Sequence, residues 1–333
     1  MRAVIISDTD NRESVEIRDI DDPVPGDEHV LVDVKACAVN FTDLLSLDGK
    51  YQNNPPPPFT PGKDAAGIVS AVGTKVAGHK IGDRVLAHVN HGAMAEKAVC
   101  HQALTCALPD NVALDAAAAM GLAHLTAYFA LTRRGALKAG ETVLINGASG
   151  GVGLAAVGLA RALGAKTVLA GLTSPGKADA VKRAGADAVI DLSADDLKDA
   201  LRAQVMDSVG RQGVNLAVDM VGGAVFEASL RAIADEGRVV VVGFASGAIP
   251  TLRTNYLLLK NISVVGMTVA SYMKSHSPDI AKAQTALFDL LAAGKIDPNI
   301  MARLPFDRFR DGIRTLEDRA IVGKTVLVMK PAK

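Results

Sequence analysis

At 333 residues the chain exceeds one ordinary hydrophobic core and suits two domains; 49% apolar and 22% charged residues describe a soluble globular protein. Lys+Arg and Asp+Glu number 36 each, so no basic footprint argues for nucleic acid or an anionic membrane, and a small neutral or modestly charged partner is expected. The cysteines Cys37, Cys100 and Cys106 are too irregularly spaced for a disulfide framework or metal knuckle, and no signal peptide or run of roughly 20 apolar residues is present, so reduced thiols and a cytoplasmic location are expected.

From Met1 to about Leu114 the pattern is strands and turns. Val4-Ile5-Ile6, Val15-Glu16-Ile17 and the alternating His29 to Val34 read as strands, with Pro23-Val24-Pro25-Gly26 as a turn. Gly67 to Gly73 and Gly82 to Ala87 continue the series, which predicts a small β-rich domain. Tyr51 to Pro58 ends in four prolines and forms a stiff loop that could wall a cleft. After Pro109 the texture changes. Leu114 to Met120 and Leu122 to Leu131 read as helices. Apolar strands then alternate with helices or glycine-rich stretches: Thr142 to Ile145, Thr167 to Leu172, Ala188 to Ile190, Leu216 to Asp219, Val239 to Val242 and Ile262 to Val265. Strands without polar alternation need both faces covered, which predicts a doubly wound parallel sheet. A helix from about Ile280 to Ala292 closes this region; Pro305-Phe306 and Lys324 to Val328 return to strand character and are expected to rejoin the first domain. The sheet domain is then an insertion, with a cleft between the two.

The most informative stretch is Asn146-Gly147-Ala148-Ser149-Gly150-Gly151-Val152-Gly153, between a short apolar strand and an alanine-rich helix. A buried strand turning sharply through glycines into a helix leaves backbone N–H groups and the positive helix end for a diphosphate. A second strand ending about 20 residues later completes the context of a dinucleotide site. Gly147-Ala148-Ser149-Gly150-Gly151 also fits the G-x-S-x-G nucleophile elbow, but that chemistry needs an acid and then a histidine downstream, and only His276 follows. The end of the second strand selects the cofactor. An NAD site places Asp or Glu there for the ribose hydroxyls, whereas this chain reads Leu172-Thr173-Ser174-Pro175-Gly176-Lys177, with no acid before Asp179. Ser174 and Lys177 suit a 2′-phosphate, so NADP(H) is preferred; the alternative makes Lys177 an ordinary solvated residue. The histidines give no tetrahedral set: His88 and His91 lack partner ligands, Cys100 and His101 are adjacent, and His29, His79, His124 and His276 are isolated. No metal is expected.

Ala38 to Asp43, Pro61 to Gly67, Gly82 to Val85, Asn146 to Gly153 and Val322 to Leu327 together resemble the zinc-independent medium-chain dehydrogenase/reductases, in the quinone oxidoreductase (zeta-crystallin-like) branch. Zinc members carry a cysteine near Ala38 to Asn40 and Gly-His-Glu where this chain has Gly62-Lys63-Asp64. They also hold a cysteine-rich lobe that is missing between Ala87 and Cys100. The resemblance implies an α/β fold in which a doubly wound parallel Rossmann domain, 116–293, is inserted in a β-rich GroES-like catalytic domain, 1–115 completed by 294–333. It places Asn40 near the nicotinamide and Thr126 on the cofactor. Ser149, Gly150, Gly151 and Val152 lie under the diphosphate, Ser174, Lys177 and Arg319 at the 2′-phosphate, and Gly243 and Phe244 along the adenosine or diphosphate. A family tyrosine after the third strand is replaced by Leu192, which removes one adenosine contact.

The expected reaction is hydride transfer from NADPH to a quinone, or to an alkene conjugated with a carbonyl (an enone, enoyl thioester or 2-substituted acrylate), whose charge delocalises onto oxygen without a metal. A third reading is a non-catalytic NADPH-binding protein. Asn40 is expected to orient the nicotinamide or donate to the acceptor oxygen, Tyr51 to donate a hydrogen bond or stack, and Asp43 or water to relay a proton. Alternatively Asp43 caps the helix begun by Leu44-Leu45 and Tyr51 packs under the prolines. Ile262 to Met267 offers a sheet edge, and the resemblance implies a homodimer.

Overall fold

The computed structural model describes residues 1–330, which divide into two compact units. The first comprises Met1–Leu125, Ala270–Ala292 and Pro298 onward, the second Thr126–Val269 and Ala293–Asp297. In the first unit Arg2–Ile6 and Val15–Asp19 form a two-stranded antiparallel ladder. The larger sheet runs Ile300–Pro305, Lys324–Val328, His29–Val39, Asp64–Val72, Arg84–His88, Thr105–Ala107, with Lys97–His101 also paired to His29–Val39. The C-terminal strand thus lies against the first long strand, Val326 opposite Ala38 and Thr325 opposite Val39. That register carries Lys324 to the end of the strand bearing Asn40.

Two elements of the first unit differ from the sequence pattern. Strand character ends at Pro305, and Phe306–Arg308 is a single 3-10 turn with Phe306 buried. The helix Asp279–Ala292, expected within the nucleotide domain, packs Phe288 among Ala36, Leu86, Leu108 and Val326 of the first unit. Its apolar stripe at helical spacing signals burial but not the surface that buries it. Alanines 117 to 119 of the helix Leu114–Ala119 enter the same core, where small side chains allow the helix close to the sheet.

The second unit holds a six-stranded, all-parallel sheet. Its order is Ala188–Asp191, Thr167–Leu172, Thr142–Asn146, Val214–Asp219, Ile233–Val241, Ser263–Gly266. Numbered along the chain these are third, second, first, fourth, fifth and sixth, the doubly wound order in which connections leave the first strand in opposite directions. Leu144, Leu169, Val205, Ala217, Phe226, Leu230 and Val239 form its core, and Leu192 packs there in place of the absent tyrosine. The fifth strand begins earlier than its apolar run suggests: Ile233 pairs with Val214, and the register shifts before Arg238 meets Leu216. A bulge interrupts the side-chain period there, so alternation does not announce it.

Candidate active site

At the end of the strand Thr142–Asn146 the chain turns at Gly147, whose φ of 73° favours glycine. Gly147 and Ala148 donate their N–H groups to Gly171 O at 3.0 and 3.1 Å, so the turn is tied to the end of the neighbouring strand. The helix Gly151–Ala162 starts at Gly150 with no side-chain cap and no acidic residue in its first turn. Its first N–H groups have no intrahelical partner, and the dipole there is positive. A Cβ on Gly153 would stand 2.2 Å from Gly147 O, so the turn presses on the helix and only glycine fits. Ser149, Gly150, Gly151 and Val152 are half-buried over buried Ala148 and Gly153, an uncapped cradle whose donors fit a diphosphate.

The adjacent parallel strand completes this corner. Asn146 and Asp219, both fully buried, end neighbouring strands opposite each other, and Asn146 Nδ2 donates to Asp219 Oδ1 at 3.1 Å and to Ser229 Oγ at 2.8 Å. Asp219 also accepts the N–H groups of Val221 and Gly222, holding the next turn in shape. Burial pushes its carboxyl above the usual range, and these donors pull it back. Gly243 N–H donates to Asp219 O at 3.4 Å, and a Cβ on Gly222 would meet Phe244 Cδ1 at 2.9 Å, so Gly243 and Phe244 stand beside the same strand ends. Sequence reasoning placed Asn146 in the glycine turn but missed its link to Asp219 and Ser229; the available signal was a polar residue ending each of two apolar strands. After the strand Thr167–Leu172, Ser174 is exposed and Lys177 half-buried, with burial lowering the lysine's proton affinity. Thr126 is half-buried on the helix Leu122–Phe129.

A second polar cluster lies in the first unit, around the end of the strand His29–Val39. Asn40 Oδ1 accepts from Lys324 Nζ at 2.6 Å, and its Nδ2 donates to Asp64 Oδ2 at 3.0 Å and to Ala38 O at 3.3 Å. Lysine only donates and carboxylate only accepts, so the amide has one orientation. Both N–H atoms of Asn40 are therefore spent, and it is left with one lone pair. The expected donation from Asn40 to an acceptor oxygen has no proton to use. Asp43 Oδ2 accepts Asn40 N–H at 2.8 Å and its Oδ1 accepts Gly62 N–H at 3.1 Å; the helix Phe41–Leu47 starts three residues before Leu44, with Asn40 as its N-cap, so Asp43 holds the helix start from within the first turn rather than capping a helix begun by Leu44-Leu45. Burial raises the Asp43 carboxyl to about 6, against the pull of Lys63, the Asn40 N–H and Lys324.

Asp64 joins the parts. Its Oδ1 accepts Leu122 N–H at 2.7 Å and lies 3.5 Å from His88 Nδ1, while a Cβ on Gly121 would stand 2.2 Å from that oxygen. Lys324 Nζ, fully buried, also donates to Val39 O at 2.7 Å, and burial lowers its proton affinity against the attraction of Asp64 and Asp43. Lys63 Nζ donates to Asn90 O and lies 4.3 Å from the centroid of the Tyr51 ring. Tyr51 is half-buried on the loop whose Phe59 exchanges backbone bonds with Ile6, and among the described residues none bonds its hydroxyl. Among the described residues no group of three or more His, Cys, Asp or Glu is placed to hold a metal ion. Arg319, exposed and with φ 51°, follows the helix Phe309–Glu317 in this same unit. Asn40, Asp43 and Tyr51 thus gather around Lys63 and Asp64, while the glycine turn, Gly243, Phe244, Ser174 and Lys177 belong to the second unit.

A doubly wound sheet with an uncapped glycine turn, joined in one chain to a largely antiparallel β unit with a buried polar cluster, defines a two-unit protein of the dinucleotide-binding class. The family model described as Alcohol dehydrogenase GroES-like domain matches residues 26–146, and that described as Zinc-binding dehydrogenase matches 151–286. The chain is 36% identical over 322 residues to quinone oxidoreductase-like protein 2 of Rattus norvegicus, covering 97% of this chain and 91% of the relative. It is 32% identical to quinone oxidoreductase of Homo sapiens, with 99% and 98% covered. Quinone oxidoreductase of Escherichia coli, solved as a complex with NADPH, superposes with a TM-score of 0.89 at 29% identity, with 98% of this chain and 100% of that one covered. The chain belongs to the medium-chain dehydrogenase/reductase family, in its quinone oxidoreductase branch.

Proposed function

We propose that the chain is an NADPH-dependent oxidoreductase that reduces a quinone at a metal-free site, with the first unit (Met1–Leu125, Ala270–Ala292 and Pro298 onward) as catalytic domain and the second (Thr126–Val269 and Ala293–Asp297) as NADP(H) domain, in place of the expected division at 115/116 and 293/294. The carrying observation is the uncapped, acid-free start of the helix Gly151–Ala162 beside the strand Thr167–Leu172, which is followed by Ser174 and a turn ending in Lys177 rather than by a carboxylate. Ser149, Gly150, Gly151 and Val152 would hold the diphosphate, Gly243 and Phe244 the adenosine side, and Ser174, Lys177 and Arg319 the 2′-phosphate. Thr126 would contact the cofactor, and Asn40 its nicotinamide portion through the free lone pair of Oδ1. The nicotinamide supplies the hydride when bound. Asp43 is a positioning residue, since both its oxygens are engaged in holding Asn40 and Gly62. Tyr51, whose hydroxyl has no partner among the described residues, is the donor to the acceptor oxygen.

The test is steady-state NADPH oxidation against quinones, enones, enoyl thioesters and 2-substituted acrylates. Turnover highest with quinones supports the proposal, and turnover confined to conjugated alkenes replaces it with reduction of activated C=C bonds. Tight NADPH binding with no turnover on any acceptor would overturn the enzymatic reading.

A further inference from the structure

Lys63 is the cation of this cluster that the reading above leaves without a task. It follows Gly62, whose φ of 98° turns the chain into the strand Asp64–Val72, and its side chain is almost wholly buried. Its direct partners are neutral: the carbonyl of Asn90 and the face of the Tyr51 ring, 4.3 Å from the ammonium. Aromatic faces attract cations, and more strongly where water is excluded. The carboxylates near it are committed elsewhere, Asp43 to the N–H groups of Asn40 and Gly62, Asp64 to Asn40 Nδ2 and Leu122 N–H. The Lys63 charge is therefore applied to Tyr51 rather than absorbed in a direct ion pair.

We propose that Lys63 is a positioning residue for proton transfer, its ammonium fixing the Tyr51 ring and stabilising the phenolate formed when Tyr51 gives its proton to the acceptor oxygen. The inference rests on the reading above, in which Tyr51 is the donor. The Tyr51 O–H bond breaks and an O–H bond forms on the acceptor, which also gains the hydride; quinone, hydride and proton give the hydroquinone, and water returns the proton to Tyr51. The charge is in place before the reaction, so stabilising the phenolate requires no reorganisation. The titratable groups around Lys63 are Asp43 on the helix Phe41–Leu47, Asp64 on the following strand, His91 after the strand Arg84–His88, and Tyr51, with Lys324 beside the two carboxylates. Burial lowers the proton affinity of Lys63 while Asp43 and Asp64 raise it, the net shift being downward.

The experiment is a double-substitution cycle of Lys63→Met and Tyr51→Phe, with Lys63→Arg as the conservative variant, in full-length protein. Measurements are kcat, acceptor KM, NADPH affinity and the thermal midpoint. Tyr51→Phe is expected to lower kcat about 100-fold, within the range for a general acid. Lys63→Met is expected to lower kcat by about 10-fold to 100-fold, with KM and NADPH affinity within about twofold, and to have less than about a threefold effect once Tyr51 is phenylalanine. In the parent, kcat falls as pH rises through the depressed lysine value, and Lys63→Arg removes that fall while keeping most of the turnover. Equal factors for Lys63→Met in both backgrounds would overturn the inference. Should Lys63→Met not fold, identical alkaline limbs in the parent and Lys63→Arg would overturn it. Parental turnover in Tyr51→Phe would remove the donor and this inference while leaving the oxidoreductase reading, which fails only if the parent reduces no acceptor.

Discussion

Asp64→Asn preserves side-chain shape and removes one acceptor from the centre of the first unit. In the parent, Oδ1 takes Leu122 N–H at 2.7 Å and Oδ2 takes the Asn40 amide at 3.0 Å. An asparagine offers one oxygen and one NH2 group, so in either orientation the NH2 meets a donor. Two donors are then buried without an acceptor, the new NH2 and either Leu122 N–H or Asn40 Nδ2. At about 1–3 kcal/mol for each, the loss is about 2–6 kcal/mol. Removing a carboxylate attracted to buried Lys324 adds in the same direction. The chain has no tryptophan, so urea unfolding is followed by circular dichroism at a helix wavelength, with calorimetry as a second probe. Gly121→Ala, whose Cβ would stand 2.2 Å from Asp64 Oδ1, strains the same contact from the other side and is expected to destabilise as well. An Asp64→Asn protein within about 1 kcal/mol of the parent would refute the bond-by-bond reasoning, since even the smallest cost assigned to two unsatisfied donors exceeds that.

Gly153→Ala places a Cβ 2.2 Å from Gly147 O and 2.7 Å from Ala148 Cα, both backbone atoms, so the turn must open. NADPH affinity, read by the enhancement of its fluorescence, is expected to fall at least about tenfold; unchanged affinity would remove the turn from the site. Lys177→Ala is expected to reduce the preference for NADPH over NADH about 10-fold to 100-fold by weakening NADPH alone, and an unchanged ratio would dismiss a 2′-phosphate contact. The Asp43 carboxyl, raised to about 6 in the folded state, contributes stability that is fully present below its ordinary value near 3.9 and lost as pH rises through about 6. The stability of the parent relative to Asp43→Asn should therefore decline between about pH 4 and 7, by up to about 3 kcal/mol; a rise over that interval would reverse the reading. For the homodimer we propose, Leu258 and Leu259, 78% and 75% exposed on the helix before the edge strand Ser263–Gly266, are candidate contacts. Leu258→Glu with Leu259→Glu should yield monomers by sedimentation, and a monomeric parent would end the proposal.

What the sequence determined by itself is local. The unbroken apolar strands required a parallel sheet covered on both faces, and the strand, glycine turn and helix from Thr142 to Ala162 required a sharp turn into a helix start, because these follow from side-chain period, from backbone freedom at Gly147 and from the missing side chain at Gly153. A role for Asp43 at the helix start was legible because the bond joins residues three apart, although the cap itself is Asn40 and the helix begins at Phe41. The donor inventory of Asn40 was not legible, since its partners Asp64 and Lys324 lie 24 and 284 residues away in the chain. The same holds for Asp64 with Leu122, 58 residues apart, and for Phe288 in the first unit's core. Side-chain period states that a face is buried without stating against what, and a lysine opening an apolar strand does not announce the amide it will orient. Only the register of Lys324–Val328 against His29–Val39 decided that Asn40 accepts rather than donates, and only the approach of the Tyr51 loop to Gly62-Lys63 placed a buried cation beneath a phenol.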